Sequence, residues 1–327
     1  MWGLLTLFAI ALAIIVLGGT LVLTWLLARP PRLTAGRALA LGLPTEPEDV
    51  GLAGESHTFT LADGVRVPTF IVEGRDPDGP TLLVLHGLLE SRYASLARAG
   101  VLADSAARLV MPDLRGHGEA SKSLCRGGAV EADDTMHLLE QIPGGGALVI
   151  HGFSLGAGVA LAAAARLPHR PELARWRLVG VIAEGTYRHW HVPLHTFLWS
   201  YRVPSIPFVP LLRLIHEPIN PELRRFDRAT DAAGMTAPLL MIHGERDTLC
   251  APAHARAVAD AAGGPVTFET MPGAGHMDVA THDPDRYRAA LAGFFADLRH
   301  PADPDTLDIP DTPDTPPPRQ AHPEAAP

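Results

Sequence analysis

Hydrophobic and polar positions along the chain fall into distinct regimes. From Trp2 to Ala28 there is no charged residue, and Leu, Ile, Val, Ala and Phe dominate. Such a run is long enough to cross a hydrocarbon core as a helix, and it lacks the polar face of a core helix in a soluble domain. A cleaved signal peptide is the rival reading, but Met1-Trp2-Gly3 offers no basic side chain and the apolar stretch is too long. Residues 1–28 are therefore expected to form an uncleaved transmembrane helix. Residues 29–54 carry Pro30, Pro31, Pro44, Pro47 and several glycines, and predict a linker without regular elements. From Pro301 onward the chain is mainly Pro, Asp, Thr and Ala, which predicts a disordered tail over 301–327.

Residues 55–300 hold the patterning of one folded domain. Segments 56–61 and 66–72 read as short strands around Asp63-Gly64, a hairpin turn dipeptide. Six continuous apolar runs follow: Thr81–His86, Arg108–Pro112, Ala147–His151, Val179–Glu184, Leu239–His243 and Val266–Met271. Runs of this kind suit strands buried on both faces. Ala-rich helical segments such as Leu155–Leu167 and His254–Ala262 lie between them. The alternation predicts an α/β fold, a mostly parallel sheet with helices on both faces. The stretch at about 189–236 is too long for a plain loop and rich in Phe, Leu, Trp and Tyr, so it is expected to form a small helical cap.

Composition narrows the partners. The 327 residues give one large domain with appendages, 47% of them apolar. A formal net charge of −9 argues against nucleic acid, which calls for a basic face. Cys125 and Cys250 are the only cysteines, more often two thiols than a disulfide, and leave the redox compartment open. Arg29, Arg32 and Arg37 follow the apolar helix and no basic side chain precedes it, so the positive-inside rule puts the folded domain on the cytoplasmic side of a single-pass membrane protein.

The chemistry centres on Gly152-Phe153-Ser154-Leu155-Gly156, which links a strand to a helix. In G-x-S-x-G at such a junction, small residues flank a sharp turn that lifts the serine hydroxyl clear of the sheet. Over roughly residues 55–298 the sequence here resembles the α/β-hydrolase family. Leu85-His86-Gly87-Leu88 resembles the His-Gly turn after the family's third strand, and Pro112-Asp113-Leu114-Arg115-Gly116-His117-Gly118 its D-x-R-G-H-G segment. Ala274-Gly275-His276 looks like the loop that carries the catalytic histidine.

Position selects the base among 16 histidines. His276 follows the last apolar run in a Gly-rich loop, and a serine needs such a base to take its proton. Asp247 resembles the family's acid position, with Glu184 as the alternative; the order Ser154, Asp247, His276 is the one this fold uses. The oxyanion hole is expected from the backbone N–H groups of Leu155 and Leu88, or Leu89 if the turn is one residue longer. His86 and His151 read as backbone braces, and Glu245 as a surface residue. In the resemblance Asp113, Arg115 and His117 hold loops by hydrogen bonds and a salt bridge. Asp133-Asp134 is expected near a helix start. His189, His191 and His195 lack a nearby Cys or carboxylate cluster, so no metal is expected, and no cofactor. The expected function is a serine hydrolase of carboxylic esters or thioesters, acting on a hydrophobic or lipid-like acyl group. An acyltransferase on the same triad is the main alternative, ahead of a peptidase or a ligand-binding protein.

Overall fold

The computed structural model describes residues 2–299; the expected tail over 301–327 lies outside them. In chain order the elements are α1 (Trp2–Ala28), α2 (Ala35–Ala40), β1 (Gly54–Thr60), β2 (Arg66–Glu73), β3 (Thr81–Leu85), α3 (Arg92–Leu102), β4 (Arg108–Pro112) and α4 (Ala129–Gln141). The second half contains β5 (Gly146–Phe153), α5 (Leu155–Arg166), β6 (Trp176–Glu184), α6 (Val192–Ser200), α7 (Ser205–Ile219), α8 (Arg228–Ala233), β7 (Leu239–Gly244), α9 (Pro252–Ala259), β8 (Val266–Met271) and α10 (Pro284–Arg299).

The eight strands form one sheet in the order β1-β2-β4-β3-β5-β6-β7-β8. β2 runs antiparallel to both neighbours, and β3 to β8 are parallel. Five of the six apolar runs serve two cores, because alternate side chains point to opposite faces; the sixth, β8, is an edge strand whose Val266 and Thr267 are exposed, so burial on both faces does not hold there. Leu83, Leu85, Val110, Leu148, Ile150 and Met241 face one layer with α4, α5 and α9. Leu82, Val84, Leu109, Met111, Val149 and Leu240 face the other with α3 and α10. α5 is buried from Leu155 through Ala164. Its run of alanines lets it lie close to β5 and β6 with little loss of side-chain entropy.

The segment after α1 differs from the expected linker. Leu33, Ala38 and Leu52 are buried in the α3 and α10 layer. α2 forms within it, and Pro47 opens a short 3₁₀ turn whose end Asp49 caps by accepting from Thr45 and Glu46 N–H. Proline is compatible with a first turn, where its missing N–H is not needed. Apolar anchors at wide spacing thus fasten this stretch to the domain. The region at about 189–236 forms α6, α7 and α8 with a 3₁₀ turn, and α7 packs along α1.

One further expectation changes. Asp133-Asp134 sits beyond the first turn of α4, which starts at Ala129. Asp134 is instead occupied by Arg115, whose Nη2 donates to it at 2.6 Å, while Arg115 Nη1 reaches Asp63 at 3.0 Å. Glu245 is exposed, as expected, and accepts from Gly273 N–H at 3.0 Å, bracing the loop before His276. Cys125 and Cys250 are both buried free thiols.

Asp113 is buried and ion-paired with the Arg92 guanidinium, and it also accepts from the Arg92 and Glu119 N–H groups at 2.9 and 2.8 Å. Removing one partner of such a pair leaves an uncompensated buried charge, which typically costs about 3–5 kcal/mol. Arg92→Ala should therefore lower the unfolding free energy by about that amount in urea titration; an unchanged midpoint would contradict this role.

Candidate active site

β5 delivers Ser154 and α5 begins directly after it. Ser154 has φ 53° and ψ −109°, a conformation L-residues adopt only when the surroundings impose it. The turn is possible because of close backbone approaches. A Cβ on Gly152 would lie 2.1 Å from Gly156 O, and one on Gly156 would lie 2.3 Å from Leu85 O. The second approach brings the start of α5 against the turn after β3. Ser154 N–H in turn donates to Glu184 O at 2.8 Å, tying the elbow to the end of β6.

The structure brings Ser154, His276 and Asp247 together. His276 Nε2 lies 2.9 Å from Ser154 Oγ, and His276 Nδ1 lies 2.7 Å from Asp247 Oδ2. An ionised Asp247 only accepts, so Nδ1 carries the ring proton and Nε2 is free to accept from the serine hydroxyl. Asp247 is itself oriented: Cys250 N–H donates to Oδ1 at 2.7 Å, and His243 Nε2 stands 3.3 Å from Oδ2. Phe153 packs against the His276 ring at 5.1 Å between centroids. Asp278 accepts from Gly275 N–H at 2.7 Å and helps shape the histidine loop.

Glu184, the alternative acid, faces elsewhere. Its Oε1 accepts from His151 Nε2 at 2.7 Å and from the Tyr287 hydroxyl, while Oε2 meets Arg98 Nε at 3.5 Å. Burial would raise this carboxyl, but the charges of His151 and Arg98 and the Tyr287 hydroxyl outweigh it and hold it near 2. Arg98 also lies 4.1 Å over the Phe153 ring and approaches Glu90 at 3.5 Å. Glu90 accepts from Gly87 N–H at 2.8 Å and fixes the turn Gly87-Leu88-Leu89, where Leu89 has φ 67°. Among the described residues, the N–H groups of Leu88 and Leu155 have no acceptor. The links through Glu90, Arg98, His243 and Tyr287 were not foreseen from sequence, because no short motif joins residues so far apart in the chain.

His86 accepts from Leu114 N–H through Nε2 at 3.0 Å and donates through Nδ1 to Gly87 O at 2.8 Å. It therefore links the turn after β3 to the D-x-R-G-H-G segment, and it needs its neutral form to do so. His117 Nδ1 bonds Arg115 O at 2.9 Å, and the two rings pack edge to face at 5.2 Å.

Asp247, Cys250 and His276 also place possible ligand atoms within 4.8 Å of one another. Burial pushes the Cys250 thiol well above its ordinary value, so it stays protonated, and His276 Nδ1 is already committed to Asp247. That donor set suits an acid–base pair better than a metal. The rings of His189, His191 and His195 lie in sequence 5.8 Å apart on the cap.

Residues 80–170 match the model of a family described as having the alpha/beta hydrolase fold. An esterase of Pyrococcus furiosus superposes with a TM-score of 0.63 at 17% identity, over 83% of this chain and 97% of its own. A membrane phospholipase A, described as a bacterial virulence factor, superposes at 0.56 and 19% identity, over 91% of this chain and 98% of its own. That share exceeds what residues 54–299 alone make up. A haloalkane dehalogenase of Bradyrhizobium elkani superposes at 0.54 and 17% identity, over 76% of this chain and 98% of its own. No curated protein matches the sequence. The fold of this chain is that of the α/β hydrolases.

Burial holds His86 down at about 4, and burial together with the His86 charge holds His117 at about 3, against an ordinary 6.5. The unfolded chain then binds more protons below pH 6.5 than the folded one, so this stability is present above 6.5 and lost as pH falls through the folded values. For His86 the loss should approach about 3 kcal/mol by pH 4. Urea titrations from pH 7 to 4 should show it, with a shallower slope in His86→Gln; equal slopes would exclude His86 as the cause.

Proposed function

We propose that this chain, an α/β-hydrolase-fold protein, is a serine hydrolase of carboxylic esters or thioesters with a hydrophobic or lipid-like acyl group. The observation that carries this reading is the continuous line from Ser154 Oγ to His276 at 2.9 Å and on to Asp247 at 2.7 Å. Ser154 Oγ attacks the acyl carbon while His276 Nε2 takes its proton. Asp247 holds the ring in the required tautomer and stabilises the imidazolium. The former carbonyl oxygen becomes negative and accepts from the Leu155 and Leu88 N–H groups, both without acceptors in the free protein. His276 then returns the proton to the leaving oxygen or sulfur. Water, deprotonated by the same nitrogen, releases the acid and regenerates Ser154.

The surroundings of the site favour a lipid-like acyl group. The cap is apolar, with Leu194, Leu198, Val209 and Leu212 as its core. α1 is long and apolar enough to cross a membrane, and 6% of its most apolar window is buried. In this reading α1 is a membrane anchor that keeps the folded domain beside the bilayer, on the cytoplasmic side if the positive-inside rule holds. No cofactor or metal takes part in the chemistry.

Full-length protein in detergent should be labelled by a fluorophosphonate probe at Ser154, and Ser154→Ala should lose both labelling and p-nitrophenyl ester turnover, by about a thousandfold or more. Labelling that persists in the variant would refute the nucleophile. Asp247→Asn should lower kcat by about 10⁴ with KM little changed, because the ring takes the wrong tautomer. A loss under tenfold would remove Asp247 from the mechanism.

A further inference from the structure

We propose that the α6–α7 hairpin of the cap is a second membrane contact: a wedge seated in the same leaflet that receives the end of α1, whose partner is the apolar layer of a lipid bilayer. The proposal rests on the reading of α1 as the membrane span.

Val16, Gly19, Thr20, Leu23, Thr24 and Leu27 recur every three or four positions, and each is buried or half-buried. They form one stripe along the second half of α1. Leu23 and Leu27 pack with Leu194, Leu198, Val209 and Leu212 of α6 and α7. Gly19 lies so close to Phe208 of α7 that a Cβ there would be 2.8 Å from the ring. Residues 2–15, by contrast, are all exposed.

Helix length then links the cap to the span. A hydrocarbon core is about 30 Å thick and takes about 20 helical residues. A crossing of that length drawn from Trp2–Ala28 includes the turn from Val16 to Thr20 wherever along the helix it is placed, and Phe208 goes with it. Tilting α1 uses more residues per crossing and draws more of the cap in.

The outward side of the hairpin has the composition for that place. Trp199 is 74% exposed, Tyr201 69% and Ile206 72%. Ile206 is two residues from Phe208 and hence at a similar depth. From Val192 to Leu212 the only formal charge is Arg202, at the turn between the helices. Its long stem can carry the guanidinium to the headgroup layer, where Trp and Tyr also concentrate. At the foot of α1, Arg29, Arg32 and Lys122 line an open cavity of about 500 Å³ with no carboxylate in its wall. Apolar tip and basic foot thus succeed each other along α1 in the order in which a leaflet presents acyl chains and phosphates. Singly exposed apolar residues are ordinary; this cluster continues the surface of a helix that is itself apolar all round. A cap seated this way lets an acyl chain pass from the leaflet to Ser154 without crossing water.

The test uses the full chain in phosphatidylcholine/phosphatidylglycerol vesicles, with an environment-sensitive fluorophore on a single introduced cysteine; native Cys125 and Cys250 are buried. Labels at Leu5→Cys in α1 and Ile206→Cys in the cap should both be quenched by acyl-brominated lipids, and a label at Asp285→Cys on α10 should not. Quenching at Leu5 without quenching at Ile206 would overturn the proposal. So would an Ile206 label shielded from aqueous iodide yet untouched by brominated lipid, which would mean that a second copy of the chain covers the hairpin. An unquenched Leu5 label would remove its premise. A paired variant, Trp199→Glu with Ile206→Glu, should raise KM for a vesicle-embedded ester by about tenfold or more. Its kcat/KM on a water-soluble short ester should stay unchanged, and a parallel loss on both esters would overturn the proposal. Fluorophosphonate labelling of Ser154 is read separately, so a failed hydrolase reading and a failed membrane seat give different results.

Discussion

Everything in the candidate site depends on the chain turning sharply at Ser154. The residue holds a positive φ that costs on the order of 1–3 kcal/mol. The contacts around it must over-determine that conformation. Gly156 sits where only a hydrogen fits against Leu85 O, and Ser154 N–H is held by Glu184 O. One constraint therefore sets three things together: the direction of the hydroxyl, the start of α5, and the closeness of α5 to the turn after β3. A slightly wider turn would separate the Leu155 and Leu88 N–H groups that the proposed mechanism needs side by side.

Buried charge supports that turn from below. Glu184 collects His151, Tyr287 and Arg98, and Arg98 passes the connection to Glu90 and so to Gly87. Buried charges linked in this way favour one geometry over its neighbours, since moving one partner strips another of its counter-charge. Arg92 and Asp113 do the same for the segment after β4, and His86 joins that segment to the turn after β3. His86, Asp113 and Arg115 act as the supports their positions in the sequence suggested, and their polarity is spent on backbone and on neighbouring side chains.

The proposed membrane side has its own logic. α1 shows two characters along one helix, free over its first half and striped against the cap over its second. A rigid contact between an anchor and the cap couples the depth of the anchor to the position of the cap. An anchor on a flexible linker would leave the domain free to rotate. The stretch after α1 is fastened by Leu33, Ala38 and Leu52 and does not give that freedom.

How much of this was legible in the chain follows from the range of each interaction. The strands after the first hairpin, the Ala-rich helix after Ser154 and the long apolar helix are written in local periodicity, because burial on both faces or all round needs a continuous apolar run. The triad candidates were legible for a related reason: each sits in a short glycine-bearing turn at a strand end, in the order this fold uses. The residues after α1 misled because prolines and glycines mark breaks in regular structure, and they do not reveal that three widely spaced apolar side chains have a core to enter. Sequence order favoured Asp247 over Glu184 without excluding the latter, since both lie at strand ends; the fold turns one carboxylate to His276 and the other to His151. The sequence by itself determined which segments must be buried and which turn carries the proposed nucleophile. Tertiary structure decided which charges meet and how α1 lies on the cap, because those contacts join residues far apart in the chain whose spacing no local pattern records.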